Sequence, residues 1–135
     1  MIEKSNTHID ASLWNAYSES FFRFHAEWKV TSYAVITAWN PYSNLRSKEE
    51  NCISNHKLEK QLNHVKYVSV TVGDQAFEWL EESYAAELTP QAAVELANKF
   101  QQNAIYYVID DELYLIACSA PEVMHKLGSI TPRLV

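Results

Sequence analysis

Short runs of alternating residues constrain the fold of this chain most strongly. In KYVSVTVGD, residues 66–74, valines at every second position face one way and polar or tyrosyl side chains face the other. This alternation is typical of a half-buried strand. SYAVITAW, residues 32–39, and AIYYVI, residues 104–109, carry apolar side chains on both faces, as central strands do. A sheet with a substantial core is therefore the predicted scaffold.

Two helices have clear start signals. Ser47 and Glu50 form a capping-box pattern for a helix that should run to about residue 63. Thr89 and Pro90 are a favourable N-cap and first helical residue for a second helix that should end near residue 101. Asp10 is a suitable N-cap for a short helix that precedes the first strand.

The remaining segments complete a predicted element order of α-β-β-α-β-β-α-β-β. Further strands are predicted over residues 21–25, about 81–87 and 113–118, and residues 110–112 form the polar turn of a hairpin. The tail from residue 119 has little pattern, with one helical turn predicted over 121–126. Each long helix could cross over between roughly parallel strands.

These elements predict one α+β domain over residues 1–135. Its sheet should be mixed but mainly antiparallel, with about six strands, two main helices and the short N-terminal helix. The length of 135 residues and the 47% hydrophobic content suit a single domain with a real core.

Composition argues against several functional classes. The net charge of −6 makes nucleic-acid binding unlikely, because such proteins normally present a basic face. The sequence contains no window resembling a membrane span, no signal-peptide pattern at its start, and only two widely separated cysteines. We therefore expect a cytoplasmic protein without a membrane partner. Motifs for metals or cofactors are also missing, so none is predicted.

The first candidate site lies where an apolar strand meets the start of a helix. Trp39, Asn40 and Ser43 follow the strand, and Asn51 and Asn55 occupy the helix face that becomes apolar at later turns. Strand ends and helix N-termini favour polar or anionic ligands. The alternative is structural, with the amides satisfying the backbone of the turn.

Two smaller constellations accompany this site. Glu81 and Ser83 share one face of a predicted strand, and Glu81 is a weak candidate for a catalytic base. Gln102 and Asn103 lie between the second long helix and a central strand, where they could simply end the helix. A solvated strand face and an ordinary helix end explain these residues equally well.

Four motifs coincide with these constellations: the A-W-N-P-x-S run from Ala38, the E-N-x-x-x-N helix start from Glu50, W-x-E-x-S from Trp79, and F-x-Q-N-A from Phe100. Together they resemble a bacterial family of unknown function, DUF3293. The resemblance covers about residues 16–117. It implies a small, single-domain bacterial protein and no particular activity, and it links the three constellations.

The leading hypothesis is a crevice around Asn40 and Asn51 that binds a small polar or anionic ligand such as a nucleotide, carboxylate or phosphate. Asn40 and Asn51 would hydrogen-bond the ligand, Trp39 would stack on it, and Glu81 would orient a hydroxyl or act as a base. The alternative is a protein-interaction module whose amides are structural. Enzymatic activity and homo-oligomerisation are left open.

Overall fold

The computed structural model describes residues 11–135, so the predicted cap at Asp10 lies outside the described residues. The helices are α1 (Ala11–Ser18), α2 (Lys48–Lys60) and α3 (Pro90–Lys99). The strands are β1 (Phe21–Phe24), β2 (Ser32–Ile36), β3 (Tyr67–Gly73), β4 (Leu80–Ala86), β5 (Ala104–Ile109), β6 (Glu112–Ala117) and β7 (His125–Ser129). Short 3-10 helices span Pro41–Ser43 and Thr131–Arg133.

The seven strands form one sheet in the order β1-β3-β4-β2-β5-β6-β7, and every adjacent pair is antiparallel. The predicted α+β class is confirmed. Helix α2 joins β2 to β3 with β4 between them, and α3 joins β4 to β5 with β2 between them. Each long helix thus connects strands of the same direction, in the manner of a split β-α-β unit. The intervening strand keeps each ladder antiparallel.

The predicted starts of both long helices are confirmed. Ser47 and Glu50 make both hydrogen bonds of the capping box at α2, and the Thr89 side chain accepts from the N–H of Ala92 at α3. Helix α2 ends at residue 60 rather than about 63, because the N–H of Leu62 bonds to the carbonyl of Glu59 in a tighter turn.

The predicted helical turn over 121–126 is wrong, because β7 starts at His125 and pairs with β6. Only Leu127 among its side chains is apolar, so its sequence gives little sign of a strand. The segment forms a strand because its backbone groups hydrogen-bond with the otherwise unpaired backbone groups at the edge of β6.

The chain end brings the two edges of the sheet together. After β7, the N–H of Ile130 donates to the carbonyl of Asp111, and the Asp111 carboxylate accepts from the Ser129 and Thr131 hydroxyls. Leu134 then forms a parallel bridge with Phe22 of β1 at the opposite edge. The sheet is therefore curled, and one of its faces is concave.

The two faces carry separate hydrophobic cores. Helices α2 and α3 cover one face through residues such as Leu58 and Ala97. The concave face is packed by β-strand side chains such as Val35 and Tyr106, with Trp14 and other α1 residues against them. No helix among residues 11–135 has the length and apolar character needed to cross a membrane.

Candidate ligand-binding site

The predicted extension of β2 to residue 39 is wrong, because the strand ends at Ile36. The next backbone N–H groups turn to side chains instead of a strand partner. The N–H of Ala38 donates to Asn55 Oδ1 at 2.8 Å, that of Trp39 to Thr37 Oγ1 at 3.0 Å, and that of Asn40 to Asn51 Oδ1 at 2.8 Å. The amides of α2 thus replace the missing ladder partners along this segment.

Asn51 and Asn40 hydrogen-bond each other. Besides the bond from the Asn40 N–H, Asn51 Nδ2 donates to Asn40 Oδ1 at 2.9 Å. Asn40 Oδ1 also accepts from the N–H of Arg46 at 2.9 Å. Asn51 is 2% exposed. Its amide therefore holds the loop between β2 and α2.

Asn55 joins α2 to the segment after β2 and to β4. Its Oδ1 accepts from the N–H of Ala38, and its Nδ2 donates to the carbonyl of Glu82 in β4 at 2.8 Å. The Thr37 hydroxyl donates to the same carbonyl at 2.6 Å. Asn55 is buried, so its amide is a structural link between the helix and the sheet.

Trp39 is buried, and its backbone rather than its ring contacts the polar residues. It is 8% exposed, and its carbonyl accepts a hydrogen bond from Gln102 Nε2 at 3.2 Å. It does not line the groove or the cavity described below. Trp79, directly before β4, lines both and adds an aromatic surface there, as Tyr17 does.

An open groove of about 1240 Å³ lies between α1, the turn after β3 and the C-terminal segment. A cavity of about 30 Å³, large enough for one water molecule, adjoins it on the concave side of the sheet. Five residues line both spaces and so form the boundary between them: Tyr17, Asn40, Ser43, Trp79 and Glu81.

The loop at this boundary is held to α1 by a short hydrogen-bond chain. The Ser43 hydroxyl bonds with the Tyr17 hydroxyl at 3.0 Å and accepts from Asn103 Nδ2 at 3.1 Å. Asn40, Tyr42 and Ser43 have φ values of 47°, 52° and 63°. Left-handed backbone is costly for non-glycine residues and concentrates at functional sites. The N–H of Ser43 donates to the carbonyl of Asn40 at 2.8 Å, and this bond stabilises the turn.

Glu81 differs from the amides because its carboxylate has no hydrogen-bond or ion-pair partner among the described residues. Burial alone raises the pKa of this carboxyl from 4.5 to about 7. Arg133 lines the same groove, but its guanidinium donates to the carbonyls of Ser18 and Ser20 at 2.8 and 3.2 Å. The carboxylate is thus left uncompensated beside open space.

Ser83 and Gln102 line the small cavity next to Glu81. The Ser83 hydroxyl donates to the carbonyl of Glu81 at 3.2 Å. Tyr106, on the neighbouring part of the cavity wall, shares a hydrogen bond with the Ser20 hydroxyl at 2.6 Å and donates to the carbonyl of Tyr17 at 2.7 Å. The predicted residues that meet at these two spaces are Asn40, Ser43, Glu81, Ser83 and Gln102.

The family model described as "Protein of unknown function (DUF3293)" matches residues 36–105. The chain belongs to the DUF3293 family. No curated protein and no solved structure matches it.

The DUF3293 match contains all nine predicted site residues, from Trp39 to Asn103. Three further groups at the site lie outside the matched stretch, namely Tyr17, Tyr106 and Arg133. Sequence reasoning missed them because they reach the site only through tertiary packing of α1, β5 and the C-terminal segment. Trp79 was not among the predicted site residues, although it belongs to the W-x-E-x-S motif with Glu81 and Ser83.

Within residues 11–135 of the DUF3293 chain, no cluster of three or more His, Cys, Asp or Glu side chains is arranged to hold a metal ion. The polar groups at the groove and cavity are three carboxylates, one guanidinium, hydroxyls and amides. Such a set can bind a ligand by hydrogen bonds, and a carboxyl with a pKa near 7 can also exchange a proton.

Proposed function

We propose that this DUF3293 protein binds a small molecule in the groove, with a polar group of the ligand directed to Glu81. The unpartnered carboxylate of Glu81 carries the proposal. Burying a carboxylate without a partner costs free energy. A ligand that donates hydrogen bonds to Glu81 would offset this cost. The groove residues would then surround the rest of the ligand.

The proposal moves the binding site away from the amides on which the sequence analysis centred it. Asn51 and Asn55 bond to the backbone around residues 38–40 and to β4. The N–H of Glu50 at the start of α2 is occupied by Ser47, and the Glu50 carboxylate lies there too. An anionic ligand therefore loses the free helix N-terminus that had favoured it.

Both a binding protein and an enzyme fit this site. The pKa of Glu81, raised to about 7 by burial, suits a general acid or base at neutral pH. We therefore retain Glu81 as the candidate catalytic residue within the proposal.

A fragment screen by ¹⁵N–¹H NMR tests the proposal. Fragments that bind should shift the Trp79 indole signal and the backbone amides of residues that line the groove. The Ala16→Trp variant should fill the groove from α1 and abolish these shifts, because Ala16 lines it. Asn15→Trp is the matched control, since Asn15 is an exposed neighbour outside the lining.

Two outcomes would contradict the proposal. One is that fragment shifts cluster elsewhere, for example around Trp28 in a second open depression. The other is that groove shifts persist unchanged in Ala16→Trp. Ala76→Trp fills the groove from the turn after β3 instead of from α1. If both variants abolish the shifts, the cause is the filled groove and not a disturbed α1.

A protein-interaction module is the second candidate. The loop from Pro41 to Leu45 exposes two large apolar side chains, with Tyr42 at 56% and Leu45 at 90% exposure. Adjacent exposed apolar side chains favour association with another protein. Light scattering should then show an oligomer that the double substitution Tyr42→Ser and Leu45→Ser dissociates, whereas a monomer at high concentration would argue against self-association.

A further inference from the structure

We propose that the groove takes a primary ammonium ion attached to an apolar or aromatic body. This inference rests on the proposed function and adds the chemical class of the ligand. It draws on the charge around Glu81, the acceptors in the small cavity and the walls of the groove.

The charges that line the groove favour a cation. Its lining contains three carboxylates, those of Glu19, Asp74 and Glu81, and one guanidinium, that of Arg133. The Arg133 guanidinium is held by main-chain carbonyls of residues 18, 20 and 127. The Asp74 carboxylate is occupied by the N–H groups of Glu78 and Trp79. Glu19 is exposed to solvent, so Glu81 is the half-buried carboxylate that is available to a ligand.

The small cavity has the dimensions and acceptors for an ammonium head group. Its volume of about 30 Å³ suits a group the size of a water molecule. Gln102 Nε2 donates to the carbonyls of Trp39 and Phe100, so the amide oxygen of Gln102 is left to accept from other groups. This oxygen, the Glu81 carboxylate and the Ser83 hydroxyl are three acceptors for the three N–H bonds of a primary ammonium.

The groove next to this cavity suits the rest of such a ligand. Its walls are mainly apolar or aromatic, and include Leu13, Tyr17, Phe21, Trp79 and Leu127. An apolar body gains free energy by burial there. Aromatic rings close to an ammonium group add a cation–π attraction.

Binding of a cation at Glu81 should depend on pH. The titratable or charged groups that face Glu81 are Tyr17 from α1, Tyr106 from β5 and Arg133 from the C-terminal segment, with Glu19 and Asp74 at the groove. Burial raises the pKa of both tyrosines above its ordinary value, so they stay neutral near pH 7. Glu81 must lose its proton to pair with an ammonium, so affinity should rise with pH up to about 8 and then level.

Three probes of similar shape test the ligand class: 2-phenylethylammonium, neutral 2-phenylethanol and anionic 3-phenylpropanoate. Near pH 8 and at low salt, the ammonium should bind about tenfold more tightly than the alcohol, and the carboxylate should bind most weakly. Lowering the pH to about 6 should weaken only the ammonium, by about tenfold. The readout is the shift of the Trp79 indole signal during titration.

The Glu81→Gln variant should remove the preference for the ammonium while keeping the affinity for the alcohol. Glu95→Gln, at an exposed position on α3, is the control for the loss of one carboxylate and should keep the preference. Equal binding of the ammonium and the alcohol, or a preference that survives in Glu81→Gln, would overturn the inference. If none of the three probes binds, or if all bind equally well to Ala16→Trp, the proposed groove itself fails.

Discussion

Asn55 on α2 contacts β4 and Glu81 lies in β4, yet the two polar side chains differ in their hydrogen bonding. The Asn55 amide bonds to the N–H of Ala38 and the carbonyl of Glu82. Glu81 precedes Glu82 in β4, and its carboxylate has no such partner among the described residues. A polar side chain with complete hydrogen bonding stabilises the fold. A half-buried carboxylate without a partner costs stability, because it loses hydration without gaining a compensating bond.

The largest loss of stability is expected when the hydrogen-bonded amide of Asn55 is removed. Asn55→Ala should lower the free energy of unfolding by about 3 kcal/mol, because it removes several hydrogen bonds and leaves the buried N–H of Ala38 without an acceptor. Urea denaturation measures the loss. Asn63→Ala, in the exposed turn after α2, should change stability by less than about 0.5 kcal/mol. Similar losses in both variants would contradict a structural role specific to Asn55.

Replacing the Glu81 carboxylate should raise the free energy of unfolding rather than lower it. Its folded-state pKa of about 7 lies above the ordinary value of 4.5. The folded state therefore binds more protons than the unfolded state between these values, and stability falls as pH rises through this window. Glu81→Gln should be more stable than the wild type by about 2 kcal/mol near pH 8, with little difference near pH 4.

Urea denaturation of wild type and Glu81→Gln at several pH values measures this difference. Glu95→Gln reports the effect of removing one exposed carboxylate. A Glu81→Gln variant that is less stable than the wild type near pH 8 would show that the carboxylate has a stabilising partner after all.

A smaller effect tests whether Asn40 and Asn51 act as a pair. The two side chains bond to each other, so the variants Asn40→Gly and Asn51→Ala should be coupled. Glycine is chosen at residue 40 because φ there is 47°, which glycine adopts without strain. A double-mutant cycle should give a coupling free energy of about 1 kcal/mol. Additive losses would mean that the two amides act independently.

The smallest effect concerns the bond between α1 and the loop. Tyr17→Phe removes the hydroxyl that bonds to Ser43 at 3.0 Å. Since this bond is exposed, the loss should be about 0.5 kcal/mol. Hydrogen exchange of the α1 amides should nevertheless speed up, because the helix loses this attachment to the loop. Unchanged exchange would show that apolar packing alone holds α1.

Most of the fold could be predicted from local signals. The capping box at Ser47, the Thr89–Pro90 start and the alternation in β3 each depend on residues close in sequence. The end of β2 and the position of β7 could not, since both depend on partners distant in the chain. A strand that ends because a helix side chain takes over its N–H groups leaves no mark in its own pattern.

The candidate site was predictable only in part. Asn40, Ser43 and Glu81 stood out as polar residues beside apolar segments, and they do line the groove. Sequence alone did not distinguish Asn55 from Glu81, because the difference lies in which partners each side chain reaches. Tyr17 comes from a helix that packs against the site across the fold.

Binding of 2-phenylethylammonium to Asn55→Ala and to Glu81→Gln tests whether Glu81 binds the ligand while Asn55 has only a structural role. Near-UV circular dichroism verifies beforehand that each variant is folded under the conditions used. We expect Asn55→Ala to bind within about threefold of the wild type and Glu81→Gln to bind about tenfold more weakly. Loss of binding in Asn55→Ala, together with unchanged binding in Glu81→Gln, would contradict it.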